Sequence, residues 1–168
     1  MKTLRKKMAS PTFPEPQWYF AYGMNMNLGH MGRLVPAARP AGVGLLTGYR
    51  FGIAAHGYAT VIPDATGVVP GVLFRLTEDD LGTLDTFEGV NEGLYKRASV
   101  PVRSMVIRRG DVEEVYACAV YWTPNPGEGI AAARYWREIL VGALQNELPV
   151  DHVRELLRLY REQCPEGR

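Results

Sequence analysis

The sequence predicts a mixed α+β fold in which a small, curved or barrel-like sheet is flanked by α-helices. Two observations support this class. Short runs of apolar β-forming residues are interleaved with three or four unevenly spaced helical segments. Most connections between those runs are too short to hold the helix that joins two parallel strands. Regular βαβ winding is therefore not expected.

One domain is expected over residues 17–163. The chain of 168 residues is close to the commonest size of a single domain. Residues 1–16 contain several basic side chains followed by prolines, without the apolar run that a signal peptide requires. We expect this segment to be a mobile leader.

The first part of the domain is predicted to contain short strands and one short helix. The aromatic run at residues 18–22 is typical of a buried strand, and Gly23 follows it in a tight turn. Asn27 can cap a short helix that continues to Leu34. The stretch that follows is interrupted by glycines and prolines, and it predicts strands at residues 45–46, 49–53, 58–62 and 68–74.

A helix is predicted next, between Thr77 and Gly89. Thr77, followed three residues later by Asp80, resembles a capping box, and Gly89 is suited to ending the helix. Glu88 is therefore expected in the last helical turn.

The remainder is predicted to form a hairpin followed by two helices. Strands at residues 95–106 and 112–122 are joined around residues 109–111, which carry a turn signal. Apolar residues at helical spacing predict a long amphipathic helix over residues 130–145, and Pro149 opens a final helix.

Composition and motifs exclude several classes of function. Nineteen Lys and Arg against eighteen Asp and Glu leave a net charge of +1, so the basic excess of a nucleic-acid-binding protein is missing. No segment approaches the roughly 20 apolar residues of a membrane span. Neither a dinucleotide fingerprint nor a phosphate-binding loop is present. The expected partner is a small molecule, with neither nucleic acid nor a membrane involved.

Cysteine and histidine usage favours a site without metal. Cys118 and Cys164 are the only cysteines, which suits a reducing cytoplasm and indicates neither a disulfide framework nor a zinc site. The three histidines have no partner at metal-ligand spacing. Covalent catalysis lacks a candidate nucleophile, because neither cysteine has a nearby histidine and no Gly-x-Ser-x-Gly motif occurs.

Glu88 is the most informative residue for chemistry. The C-terminal end of a helix carries partial negative charge and normally favours a cation. Burial beside Phe87 and Val90, together with this dipole, would raise the pKa of Glu88 toward the range of a general acid and base. The alternative is an ordinary surface glutamate paired with Lys96 or Arg97.

The turn from Tyr22 to Asn25 is a second candidate feature. A glycine-bearing connection between a strand and a helix exposes consecutive backbone N–H groups that can hold a small carboxylate. The alternative is plain turn chemistry with no ligand.

Three segments together resemble the γ-glutamylcyclotransferase family. They are Tyr-Phe-Ala-Tyr-Gly-Met-Asn-Met at residues 19–26, Gly-Tyr-Ala-Thr-Val at residues 57–61, and Leu-Asp-Thr-Phe-Glu-Gly-Val at residues 84–90. Tyr95 follows Glu88 at the matching distance, and the resemblance extends from about Trp18 to Tyr160.

The resemblance implies a small barrel with flanking helices and a cofactor-free reaction. That reaction closes a γ-glutamyl group into 5-oxoproline and releases the free amine, with Glu88 as the single acid/base residue. The resemblance also implies that a segment of the chain and three further tyrosines bind the substrate. These residues are Tyr19, Phe20, Ala21, Tyr22, Gly23, Met24, Asn25, Tyr95, Tyr121 and Tyr135.

Met24 departs from the family pattern, which usually has serine at this position. A backbone role would tolerate methionine, whereas a role for the hydroxyl would mean altered specificity or activity. Two alternatives therefore stay open beside the cyclotransferase. One is a non-catalytic module that binds γ-glutamyl compounds, and the other is a cyclotransferase that acts on a larger γ-glutamyl amide.

Overall fold

The computed structural model describes residues 16–106 and 113–165, and these ranges contain five strands and four α-helices. The strands are β1 (Gln17–Ala21), β2 (Pro40–Ile53), β3 (Ala59–Leu76), β4 (Lys96–Ser104) and β5 (Val115–Trp122). The α-helices are α1 (Leu28–Leu34), α2 (Glu78–Phe87), α3 (Ala133–Gln145) and α4 (Val150–Gln163), and a short 3-10 turn spans Met24–Met26. None of these helices has the length and apolarity needed to cross a bilayer.

The five strands form a closed barrel in the order β1-β3-β2-β4-β5. Four of the pairings are antiparallel, and the parallel pairing of β1 with β5, at Trp18–Cys118 and Tyr19–Ala119, closes the barrel. Closure satisfies the backbone groups that an open sheet would leave at its edges. The predicted mixed α+β class with a barrel-like sheet is confirmed.

The prediction of four separate strands between residues 45 and 74 was wrong. The strand residues in this range belong to only two long strands, β2 and β3. The glycines that suggested breaks instead allow the strands to continue. Gly48 has a φ of +82° where the register shifts between Thr47 and Tyr49. A Cβ on Gly67 would lie 2.2 Å from the carbonyl oxygen of Tyr49, so only glycine permits this approach.

The hairpin prediction is confirmed in its pairing, since β4 and β5 run antiparallel from Lys96–Trp122 to Arg103–Val115. The proposed turn at residues 109–111 lies outside the described residues, as do residues 1–15 of the predicted leader. The long helix begins at Ala133, three residues later than predicted.

Helix α2 has the predicted N-terminal cap. The Thr77 side chain accepts from the Asp80 N–H at 3.1 Å, and the Asp80 carboxylate accepts from the Thr77 N–H at 2.9 Å. The helix ends at Phe87, so Glu88 is the C-cap residue directly after the last turn. Gly89 follows with a φ of +65°, a conformation that suits glycine at a helix end.

Helix α3 fixes the turn at Met24–Met26 from outside the barrel. A Cβ on Gly142 would lie 2.5 Å from the backbone nitrogen of Asn27, so the helix packs directly on the backbone here. The Asn146 side chain also donates to the Met26 carbonyl at 2.9 Å. Trp136 is fully buried in the core and donates to the Gln163 side chain at 3.0 Å, which joins α3 to α4.

Candidate active site

A cavity of about 410 Å³ lies where the end of β1, the following turn, the end of α2 and helix α3 meet. Its volume is within the range of small-molecule sites, roughly 300–1,000 Å³. The lining residues are Tyr19, Phe20, Tyr22, Gly23, Met24, Asn25, Tyr58, Ala59, Phe87, Glu88, Leu94, Tyr95, Tyr121 and Tyr135.

The Glu88 carboxyl group is held inside this cavity by Asn25. The Asn25 Nδ2 donates to Glu88 Oε1 at 3.0 Å and to the Tyr19 hydroxyl oxygen at 2.8 Å. Burial raises the pKa of Glu88 to about 7, and the hydrogen bond from Asn25 opposes that rise. A carboxyl group with this pKa can both accept and return a proton at neutral pH.

The alternative in which Glu88 is a surface residue paired with Arg97 or Lys96 is wrong. Arg97 instead contacts Glu78 at 3.2 Å and Asp85 at 3.5 Å. The Lys96 ammonium lies 5.9 Å from the centre of the Trp122 ring. Glu88 therefore faces the cavity without a cationic partner among the described residues.

The turn from Gly23 to Asn25 is the second wall of the site. Its backbone is fixed by hydrogen bonds from the Met26 N–H to the Gly23 carbonyl at 3.1 Å and from the Asn27 N–H to the Met24 carbonyl at 3.0 Å. A Cβ on Gly23 would lie 3.1 Å from the Ala59 Cβ, so glycine keeps this part of the cavity open. The sequence identified the turn, but not that the Asn25 side chain reaches Glu88.

Tyr135 contributes a hydroxyl group to the site. Its oxygen accepts from the Ala59 N–H at 2.9 Å, which leaves the hydroxyl hydrogen available for a ligand. Burial raises the pKa of Tyr135 above its usual range, while the N–H groups of Ala59 and Met24 act in the opposite direction. The hydroxyl is therefore protonated at neutral pH and can donate.

The hydroxyl groups of Tyr95 and Tyr121, unlike that of Tyr135, donate to protein acceptors. Tyr95 donates to the Ala59 carbonyl at 2.6 Å, and Tyr121 donates to the Asp85 carboxylate at 2.6 Å. Their rings form walls of the cavity instead. Tyr22 likewise lines the cavity with its ring and donates to the Tyr121 carbonyl.

Nine of the ten predicted substrate-binding residues line the cavity, and Ala21 does not. Ala21 is buried in the barrel, where its carbonyl oxygen would lie 2.4 Å from a Cβ on Gly71. The prediction took the motif as one continuous binding segment, whereas the strand buries this residue against β3.

Four lining residues were not predicted as site residues, namely Tyr58, Ala59, Phe87 and Leu94. The first two lie inside the motif at residues 57–61, which could have placed them in the site. Phe87 precedes Glu88 and was noted only as an apolar neighbour. Nothing in the sequence pattern distinguished Leu94 from other exposed apolar residues.

The described ranges, 16–106 and 113–165, contain no group of three or more His, Cys, Asp or Glu side chains that could hold a metal ion. The chemistry available from the described lining residues is proton transfer by one carboxyl group, hydrogen bonding by Asn25, Tyr19 and Tyr135, and exclusion of water by aromatic rings.

Comparisons with known proteins agree with one another. A family model described as gamma-glutamyl cyclotransferase, AIG2-like, matches residues 19–138. Proteins named gamma-glutamylcyclotransferase from Bos taurus and Homo sapiens are 26% and 27% identical over 148 residues, which cover 82% of this chain and 76% of each relative.

Two solved structures share the fold. One, named gamma-glutamyl cyclotransferase, has a TM-score of 0.75 and 25% identity, covering 85% of this chain and 87% of that one. The other, YkqA from Bacillus subtilis, has a TM-score of 0.74 and 26% identity, covering 88% of this chain and 55% of that one. All the residues that line the cavity fall within the range matched by the family model.

Proposed function

Because the chain belongs to the gamma-glutamyl cyclotransferase, AIG2-like family, we propose that it closes a γ-glutamyl group into 5-oxoproline and releases the attached amine. The observation that carries the proposal is the Glu88 carboxyl group, which has a pKa of about 7 and lies inside a cavity at 3.0 Å from Asn25. The names of the relatives from Bos taurus and Homo sapiens support the same reaction.

The substrate supplies its own nucleophile, so the task of the protein is to fold the substrate and move protons. The α-amine has a pKa of roughly 8 and must be neutral to react. Its nitrogen bonds to the γ-carbonyl carbon, and a proton from that nitrogen passes to Glu88. The bond from the carbon to the leaving amine then breaks, and Glu88 returns the proton to that amine. The proton that the α-amine loses is therefore the one that the leaving amine receives, and no cofactor takes part.

Polar groups around Glu88 are assigned supporting roles. Asn25 is a positioning residue, because its amide holds the carboxyl group of Glu88 and the hydroxyl of Tyr19 together. In this mechanism the Tyr135 hydroxyl donates to the oxyanion or to the α-carboxylate. The rings of Tyr95 and Tyr121 exclude water, which would otherwise compete as a nucleophile.

The same proposal includes a cytoplasmic location. Both Cys118 and Cys164 are free thiols, which is in keeping with a reducing compartment.

The test of the proposal is turnover by the purified full-length chain. After dialysis against a chelator, the protein should convert γ-glutamyl amides into 5-oxoproline and free amine in equal amounts, as measured by chromatography with mass detection. Tight binding of γ-glutamyl amides without any product would instead identify the non-catalytic binding module.

Tyr135→Phe should lower kcat by about tenfold, equivalent to roughly 1.4 kcal/mol, since it removes one hydrogen bond to the reacting groups and one acceptor for the Ala59 N–H. Tyr160→Phe is the matched control, because Tyr160 packs on Trp136 and does not line the cavity. Steady-state kinetics on one γ-glutamyl amide measures both. Equal kcat values for the two variants would remove Tyr135 from the mechanism.

A further inference from the structure

The residues that line the cavity differ in exposure, and this separates a floor from a mouth. Tyr19, Asn25 and Tyr95 are no more than 5% exposed. Three apolar lining residues are far more exposed, with Tyr58 at 48%, Phe87 at 43% and Leu94 at 40%. We call this trio the apolar mouth.

Covering exposed apolar side chains at a cavity entrance with an apolar ligand group is favourable, because it removes apolar surface from water. The γ-glutamyl group has to reach Glu88 and Asn25 inside the cavity. The part of the substrate that leaves is therefore the part that remains at the mouth.

The described residues that line the cavity include no cationic side chain. Among the described lining residues, Glu88 is the only one with a charged side chain. A carboxylate on the leaving amine would therefore lose water at the mouth without gaining an ion pair.

Two histidines border the mouth without lining it. The His30 ring lies 5.4 Å from the Phe87 ring, and the His56 ring lies 5.6 Å from the Tyr58 ring. Burial lowers the pKa of both histidines, and Arg33 lowers that of His30 further while Glu138 raises it. Both rings are therefore mainly neutral at pH 7, so neither histidine gives the mouth a full positive charge.

The apolar mouth is also held in place by its neighbours. The Tyr58 ring packs edge-on against Tyr135 with 5.2 Å between ring centres. The Leu94 N–H donates to the Gly89 carbonyl at 3.0 Å, which fixes the loop that follows α2. A fixed apolar surface binds an apolar group more tightly than a flexible one, because less ordering is required when the ligand binds.

We propose that the apolar mouth selects γ-glutamyl amides whose leaving amine is uncharged and carries a bulky alkyl or aryl group. This inference rests on the proposed cyclotransferase function and names its substrate class. It assigns Tyr58, Phe87 and Leu94 as specificity residues, while Glu88 and Asn25 serve all substrates of the class.

The test compares three amides that differ only in the leaving amine: γ-glutamylbenzylamide, γ-glutamylmethylamide and γ-glutamylglycine. The benzylamide should have a kcat/KM at least about tenfold above that of the methylamide, since the phenyl ring covers apolar surface. The glycine compound should react more slowly than the methylamide, because its carboxylate has no partner. Equal rates for benzylamide and methylamide, or a preference for the glycine compound, would overturn the proposal.

A substitution at the mouth should change this selectivity. Leu94→Arg introduces a cation, and we expect the ratio of kcat/KM between the benzylamide and the glycine compound to fall by about fivefold or more. Leu144→Arg is the matched control, because Leu144 is a 64% exposed residue of α3 that does not line the cavity. If the ratio of kcat/KM between the benzylamide and the glycine compound stays unchanged in the Leu94 variant, the assignment of Leu94 as a specificity residue is wrong. If Leu94→Arg fails to fold by circular dichroism, Leu94→Ser should still reduce the ratio of benzylamide to methylamide.

Binding data separate this inference from the proposed function. If none of the amides yields 5-oxoproline, the cyclotransferase function fails, and calorimetric Kd values for the same amides decide the selectivity. The benzylamide should then bind about tenfold more tightly than the methylamide to the unmodified chain and lose that advantage in the Leu94 variant. Equal Kd values for the benzylamide and the methylamide would overturn the proposal that the apolar mouth selects the leaving amine.

Discussion

Glu88→Gln should lower the rate of 5-oxoproline release by about 10²- to 10⁴-fold, the usual contribution of a general acid/base residue. Glutamine has nearly the same shape, and its side-chain oxygen can still accept from Asn25, which now donates to Glu88 at 3.0 Å. The amide cannot take a proton from the attacking amine or return it to the leaving amine. Single-turnover kinetics on a γ-glutamyl amide would isolate this chemical step from binding.

Glu92→Gln is the control for this experiment. Glu92 is exposed in the loop after α2 and does not line the cavity, yet the substitution removes the same charge. It should retain the turnover of the unmodified chain. Full activity in the Glu88 variant, with circular dichroism showing an intact fold, would rule out proton transfer by Glu88.

Glu88→Gln should also stabilise the protein at alkaline pH. Burial raises the pKa of Glu88 from 4.5 to about 7. Between these pH values the folded protein keeps a proton that the unfolded chain releases, so stability is lost as pH rises through this window. The difference in pKa corresponds to about 3 kcal/mol, and glutamine avoids this cost because it does not ionise.

Urea unfolding of the two proteins at pH 4.5 and pH 8 measures this effect. The free energies of unfolding should be nearly equal at pH 4.5, and the variant should be more stable by up to about 3 kcal/mol at pH 8. The three histidines titrate in both proteins, so their contributions cancel in the comparison. Stability curves that run parallel across this range would mean that the Glu88 carboxyl group is not desolvated.

Local signals predicted most of the helices, but not the extent of the strands. Thr77 and Asp80 are three residues apart, so the start of α2 could be predicted from the sequence alone. The glycines in β2 and β3 were taken as breaks, because the sequence does not reveal that Gly67 packs against the Tyr49 backbone. The parallel pairing of β1 with β5 joins segments about a hundred residues apart, and no local pattern specifies it.

The candidate site shows the same division between local and long-range information. Glu88 and the Gly23 turn could be singled out, because a helix end and a glycine turn have recognisable patterns. Which tyrosines keep a free hydroxyl could not be predicted. That property depends on acceptors supplied by distant segments, such as Asp85 for Tyr121.

Ala59 occupies a special position at the start of β3. Its N–H donates a hydrogen bond to the Tyr135 hydroxyl, and its carbonyl accepts one from the Tyr95 hydroxyl. Ala59 therefore connects the barrel wall to α3 and to the segment just before β4. This side of the cavity is therefore held at two points, and we expect its width to stay the same when a ligand binds.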